Sequence, residues 1–189
     1  MALVLEKADR LFVERIDISG NTATLDRVLR RQFFLVEGDP FNPREIKAAE
    51  DRIRALGLFS NVLVDIKRGS SKSEVIVDVN VVEKPTGSLT FGAGYSSATG
   101  LGGLIEYGEK NFLGRGQALS FAIKTGKDNQ LYELSFYEPM FMRNDLGFGF
   151  DISLNDTDQQ NAAYDTENLQ FKPYVVFPLG EKSKIKIAV

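Results

Sequence analysis

Two folds in series are predicted from this sequence. The first is a small α+β domain ordered β-α-α-β-β over residues 10–84. The second, over residues 85–189, is a set of antiparallel transmembrane β-strands forming part of a barrel, and residues 1–9 read as a tail ahead of both. Three observations predict this division. Helix caps and 3.6-residue periodicity are confined to the first half. The second half alternates apolar and non-apolar residues with period two through about seven strands. Those strands are close to the roughly 9–11 residues with which a barrel crosses a bilayer.

In the first half, Phe12 to Ile18 alternates as a strand, with Phe12, Glu14, Ile16 and Ile18 against Val13, Arg15 and Asp17. Gly20-Asn21 turns the chain, and Thr22 or Thr24 is placed to cap a helix carrying Leu25, Val28 and Leu29. Glu37-Gly38-Asp39-Pro40 interrupts the pattern. Asn42-Pro43 is a helix start, with Asn as cap and Pro in the first turn. Ile46, Ala49, Ile53 and Leu56 make one face of that helix, and Gly57 supplies a left-handed stop. Strands over 59–66 and 75–82 follow, joined by the polar turn 68–73. The result is two helices on one face of a three-stranded sheet. Its edges are either protected by bulges and charges or used for strand addition by an extended partner.

In the second half, Leu146, Phe148, Phe150, Ile152 and Leu154 alternate with Gly147, Gly149, Asp151, Ser153 and Asn155. Leu119, Phe121 and Ile123 alternate with Ala118, Ser120, Ala122 and Lys124, and residues 131–138 and 169–177 behave alike. One face is strongly apolar and the other is polar or very small, the pattern of apolar-out, polar-in barrel strands. A soluble all-β domain is the alternative. Connections at 96–100, 126–130 and 156–166 fall at one end and are polar. Those at 110–116, 139–145 and 178–183 fall at the other, with aromatic or apolar flanks such as Asn111-Phe112-Leu113-Gly114 and Pro139-Met140-Phe141.

Composition narrows the chemistry. The chain has no Cys, His or Trp, so disulfides and thiolate metal sites are excluded and the usual general base is missing. Its net charge of −3 arises wholly after residue 86 and offers no electrostatic case for nucleic acid. The longest apolar run, Met1–Leu5, is too short for a helical span or a secretory core. The glycine-rich stretch 88–103 fails the phosphate-binding spacings: Ser97 stands where a dinucleotide fingerprint needs its third glycine, and no lysine completes a P-loop. Leu89, Phe91, Ala93 and Tyr95 alternate there with Ser88, Thr90, Gly92 and Gly94, so the stretch is a strand. An enzyme would have to rely on acids such as Glu133 and Asp151, with no partner at an obvious spacing. No cofactor or metal is expected.

Five segments in order, F-V-E-R-I-D-I-S-G-N (12–21), R-I-R-A-L-G-L-F (52–59), P-T-G-S-L-T-F-G-A-G-Y (85–95), E-K-N-F-L-G-R-G (109–116) and E-P-M-F (138–141), resemble the Omp85 superfamily of outer-membrane assembly proteins. The resemblance spans residues 10–189. It implies that 10–84 are a POTRA domain in the periplasm, the last before the barrel, and that the rest begins a sixteen-strand barrel in the bacterial outer membrane. Upstream POTRA domains and the closing strands would lie outside this sequence, and Lys184–Val189 would stop mid-strand. Such an open sheet is expected to pair with another copy, pair with another chain, or aggregate without detergent.

The resemblance also implies a mechanism and partners. Unfolded outer-membrane proteins would be inserted into membrane lipid by pairing their strands with the first barrel strand at a lateral seam, here Leu89, Thr90, Phe91, Gly92, Ala93, Gly94 and Tyr95. Glycine would then serve a strand edge that pairs and unpairs, or barrel curvature alone. Glu37 and Gly38 match a position facing accessory lipoproteins; an ordinary solvated turn is the alternative. Arg115, Glu138 and Pro139 would lie at the periplasmic rim, where turn structure alone also accounts for them. A polypeptide-secretion pore of the two-partner type is the alternative function within the superfamily.

Overall fold

A computed structural model describes residues 10–97, 100–142, 146–158, 166–180 and 183–188. The Met1–Leu5 run, the residue 1–9 tail, Val189 and parts of four expected connections lie outside the described residues. The chain divides into two compact units between Pro85 and Thr86.

The first unit follows β1 (Phe12–Ser19), α1 (Asp26–Arg30), α2 (Pro43–Ala55), β2 (Phe59–Arg68) and β3 (Glu74–Glu83). The sheet order is β1-β3-β2, with β1 parallel and β2 antiparallel to the central β3. Val77, Val79 and Val81 of β3 point at the helices and pack with Val28 and Leu29 of α1 and with Ile46, Ala49 and Ile53 of α2. Helix α2 begins as expected: the Asn42 side chain accepts from the Arg44 N–H at 3.1 Å, with Pro43 in the first turn. It ends before Gly57, whose φ of 69° is left-handed.

Two local expectations are corrected. Strict alternation in β1 would put Phe12 and Ile16 on one face, yet Val13 and Ile16 are the buried pair. A bulge between Val13 and Arg15 switches the parity. The Glu14 side chain at that bulge accepts from the Ser70 N–H at 2.6 Å and from its hydroxyl at 2.9 Å, tying β1 to the β2–β3 turn. Nor does either threonine cap α1. The capping position is Leu25, with no side-chain hydrogen bond. The Thr22 hydroxyl and the Ala23 and Thr24 N–H groups donate instead to the carboxylate of Glu83, at 2.7, 2.9 and 2.6 Å. Partial burial alone would raise the Glu83 pKa, but these bonds outweigh it and hold it at about 2.

The outer edge of β1 is covered. Phe12 bridges Pro40, the Val13 N–H donates to the Asp39 carbonyl at 2.9 Å, and the Gly38 N–H donates to the Val13 carbonyl at 2.7 Å. The segment after α1 thus pairs with the strand that would otherwise be an open edge.

The second unit is an antiparallel meander: β4 (Gly87–Ser96), β5 (Gly100–Phe112), β6 (Gln117–Thr125), β7 (Asn129–Phe141), β8 (Leu146–Thr157), β9 (Thr166–Pro178) and β10 (Lys184–Ala188), in the sheet order β10-β9-β8-β7-β6-β5-β4. Register makes the two faces continuous. Leu89, Tyr107, Phe121, Leu134, Ile152 and Phe171 form one row across six strands, and Thr90, Glu106, Ala122, Glu133, Ser153 and Gln170 form the next row on the opposite face. Many apolar-row side chains are exposed, as a lipid-facing surface requires. β5 and β7 run further than expected. Bulges after Glu109 and Glu138 let the strands continue through Phe112 and Phe141, so Pro139 lies inside β7 at its bulge rather than in a turn. Among the described residues, no helix is long and apolar enough to cross a membrane.

Candidate functional site: the exposed edge of β4

β4 ends the sheet. It pairs with β5 from Gly87↔Glu109 to Ser96↔Gly100, and all ten of its residues are exposed. Its apolar side presents Leu89, Phe91 (70% exposed), Ala93 and Tyr95 (78%); its other side presents Thr90, Gly92 and Gly94. The glycines differ from those of the neighbouring strand. A Cβ built on Gly94 would meet nothing within 4 Å, and one on Gly92 would meet only the Leu104 side chain at ordinary contact. On β5, a Cβ at Gly102 would lie 3.1 Å from the Thr125 carbonyl oxygen, and one at Gly103 would lie 3.2 Å from the Thr125 hydroxyl. Gly102 and Gly103 of β5 therefore serve a close fit to β6, while Gly92 and Gly94 of β4 leave room. The glycines of both strands line a shallow depression of about 430 Å³.

The opposite end of β4 is held by side chains. Glu109 Oε1 accepts from the Thr86 hydroxyl at 2.5 Å and from the Asn111 N–H at 2.7 Å. The Lys110 N–H also donates to the Thr86 carbonyl at 3.4 Å. Glu138 repeats this arrangement two strands along. Its carboxylate accepts from Gln117 Nε2 at the start of β6, at 2.6 Å, and from the Met140 N–H at 3.0 Å. In each hairpin the glutamate stands at a bulge, a phenylalanine follows three residues later, and the fourth residue (Leu113 or Met142) has a φ of 54°. In the sequence, Glu109 is marked only by the repeated Glu-x-x-Phe that it shares with Glu138.

The other expected site residues lie apart from the β4 edge or belong to the other unit. Glu37 accepts from the Ile16 N–H at 3.3 Å and lies 3.6 Å from Arg30, with half its side chain in solvent. Gly38 has a φ of 94° and is bonded to β1. Arg115 lies in the turn between β5 and β6 and is exposed. The acids weighed for catalysis share a face of adjacent strands but stand two residues out of register, and each has a lysine beside it: Glu133 pairs with Lys124 at 2.9 Å, and Asp151 lies 3.8 Å from Lys186. Among the described residues, no group of three acidic side chains is placed to hold a metal.

Comparison with known proteins agrees with both halves. Residues 11–84 match the family model POTRA, described as surface antigen variable number repeat, and residues 111–189 match the Omp85 superfamily domain. The outer membrane protein assembly factor BamA of Neisseria meningitidis serogroup B is 28% identical over 162 residues, which is 85% of this chain and 20% of that protein. A crystal structure of BamA from Haemophilus ducreyi lacking POTRA domains 1–3 superposes with a TM-score of 0.80 at 26% identity, covering 97% of this chain and 35% of that one. CdiB from Acinetobacter baumannii shares the fold, with a TM-score of 0.59 at 14% identity over 92% of this chain and 35% of its own. The chain thus spans about a fifth of the length of the assembly factor it matches. A POTRA unit followed by an open antiparallel sheet, matched in both parts, places the chain in the Omp85 superfamily.

Proposed function

We propose that the chain contributes to assembling β-barrel proteins in the bacterial outer membrane, with β4 as the edge on which incoming strands pair. Outer-membrane location, with the POTRA unit in the periplasm, follows from the family. The observation that carries the proposal is the edge itself: a ten-residue strand, paired on one side and exposed throughout, with open space at Gly94 and only ordinary contact at Gly92. An edge of this kind accepts a strand through backbone hydrogen bonds, and apolar side chains on alternate residues then face lipid. Leu89, Phe91, Ala93 and Tyr95 would face the lipid; Thr90, Gly92 and Gly94 would face inward.

The remaining partners belong to the same proposal. Glu37 and Gly38 would meet accessory lipoproteins through the exposed part of the Glu37 carboxylate. Arg115, Glu138 and Pro139 would stand at the periplasmic rim. Unfolded outer-membrane proteins are the substrates, membrane lipid is the medium, and no catalytic step is needed. In isolation the unpaired edge would drive self-association. A polypeptide-secretion role, as a two-partner transporter, has only a likeness of fold in its favour.

The test is cross-linking. Because the chain has no native cysteine, single cysteines at 89, 91, 93 and 95 can be paired with cysteines in the terminal strand of a reporter barrel protein. Strand pairing predicts disulfides in one register with period two. Cross-links scattered across registers, or none during assembly, would sink it.

A further inference from the structure

We infer that Glu109 is a positioning residue that latches the free end of β4 to the sheet, so that the pairing edge stays in register while its other side is open. The inference rests on the seam reading for its purpose, but its geometry is independent of it. β4 and β5 are joined covalently at one end by their connecting turn. At the other end, β4 begins at Gly87, directly after the compact units divide, and only noncovalent contacts hold it. Besides the backbone bond from the Lys110 N–H to the Thr86 carbonyl, one carboxylate serves this end. Glu109 takes the Thr86 hydroxyl, and Gly87 makes room for it: a Cβ there would lie 3.1 Å from Glu109 Oε2.

The latch matters because glycine thins the side-chain pairing through the half of the hairpin nearer its turn. Toward the turn, Gly92 faces Leu104, Ala93 faces Gly103, Gly94 faces Gly102 and Ser96 faces Gly100, which leaves Tyr95 with Leu101 as the one pair of large side chains there. Leu89 with Tyr107 and Phe91 with Ile105 are the large pairs toward the latched end. β5 itself is fitted closely to β6 through Thr125. The Glu109 carboxylate therefore closes the one end of the β4–β5 hairpin that has no covalent connection between the two strands. The same design at Glu138, which reaches back to Gln117 at the start of β6, shows that the glutamate staples the base of the preceding strand as well as its own turn.

The test is hydrogen exchange on the whole protein in detergent micelles, comparing wild type with Glu109→Ala, Thr86→Val and the double variant Gly87→Cys/Glu109→Cys, oxidised and reduced. Charge-assisted hydrogen bonds of this kind are expected to change local exchange about tenfold or more. Exchange at 87–91 should rise by that factor in Glu109→Ala and in part in Thr86→Val, with 118–125 unchanged. The oxidised cysteine pair should restore wild-type protection and the reduced pair should not. A rise centred on 111–116, with no effect of Thr86→Val and no rescue by oxidation, would overturn the latch and leave Glu109 as a turn residue acting through Asn111. Assembly of a reporter barrel protein is read on the same samples. Loss in Glu109→Ala that oxidation of the pair prevents supports the positioning role. The expected exchange pattern with assembly unchanged would overturn that role and count against the seam reading, while the latch itself would stand.

Discussion

Tyr137 and Tyr174 lie nearly parallel, ring centroids 6.1 Å apart and 18° between planes, on either side of Gly149, which pairs in register with both. The glycine makes the stack possible. A Cβ at position 149 would come within 2.3 Å of the Tyr174 ring and 2.7 Å of the Phe136 carbonyl oxygen. The ring could turn aside, but the backbone oxygen is fixed by its strand. Gly149→Ala is therefore expected to destabilise the sheet by about 1–3 kcal/mol, seen as a lower unfolding temperature in micelles and a weaker near-ultraviolet tyrosine signal. An unchanged melt would show that the stack contributes nothing.

Gly94→Ala should behave oppositely. Open space surrounds the added methyl, so stability should move by no more than about 0.5 kcal/mol. If β4 pairs with substrate strands, the same variant should still slow reporter assembly, because the methyl would stand on the inward face beside the inward side chains of the incoming strand. Equal assembly rates for wild type and Gly94→Ala would mean the glycine serves curvature alone.

Gly20 carries a heavier constraint. Its φ is 87°, and an added Cβ would lie 1.9 Å from the Val81 carbonyl oxygen in the central strand. Gly20→Ala is expected to cost about 3 kcal/mol or more, strain and clash together. Gly57→Ala, at a φ of 69° in open space, should cost only about 1 kcal/mol. Urea midpoints of the 10–85 unit, followed by far-ultraviolet circular dichroism, would compare them; similar losses would show that the Val81 contact is relieved cheaply.

These contrasts mark what the sequence could convey. Asn42-Pro43 and Gly57 were legible because caps and left-handed stops are local rules, satisfied within a few residues. The two faces of β4 to β10 were legible for the same reason, since alternation needs no knowledge of the partner strand. The parity switch in β1 was hidden, because Glu14 reaches Ser70 in a distant hairpin. Thr22 and Thr24 look like caps in the sequence because their partner, Glu83, lies at the far end of the domain's sequence. Glu109 was missed for a related reason: its partner Thr86 precedes a whole hairpin, and a glutamate beside a turn has no pattern of its own until Glu138 repeats it.

Glu83 makes the POTRA unit sensitive to acid in a defined window. Its carboxylate has an ordinary value of 4.5 and sits at about 2 in the folded unit, so folding favours the charged form. A depressed folded value contributes stability that is fully present above about 4.5 and is lost as pH falls toward 2. The group is only partly solvated, and the linkage contribution is on the order of 2 kcal/mol. Glu83→Gln keeps one acceptor for Thr22, Ala23 and Thr24 but turns an amide NH₂ toward the other donors. It should lower stability by about that amount at neutral pH. The gap between wild type and variant should then close as pH falls from 4.5 to 2, because protonated Glu83 is also neutral. Urea unfolding of the 10–85 unit at several pH values would measure it. A gap that stays constant across the window would mean the clamp on residues 22–24 does not depend on the charge of Glu83.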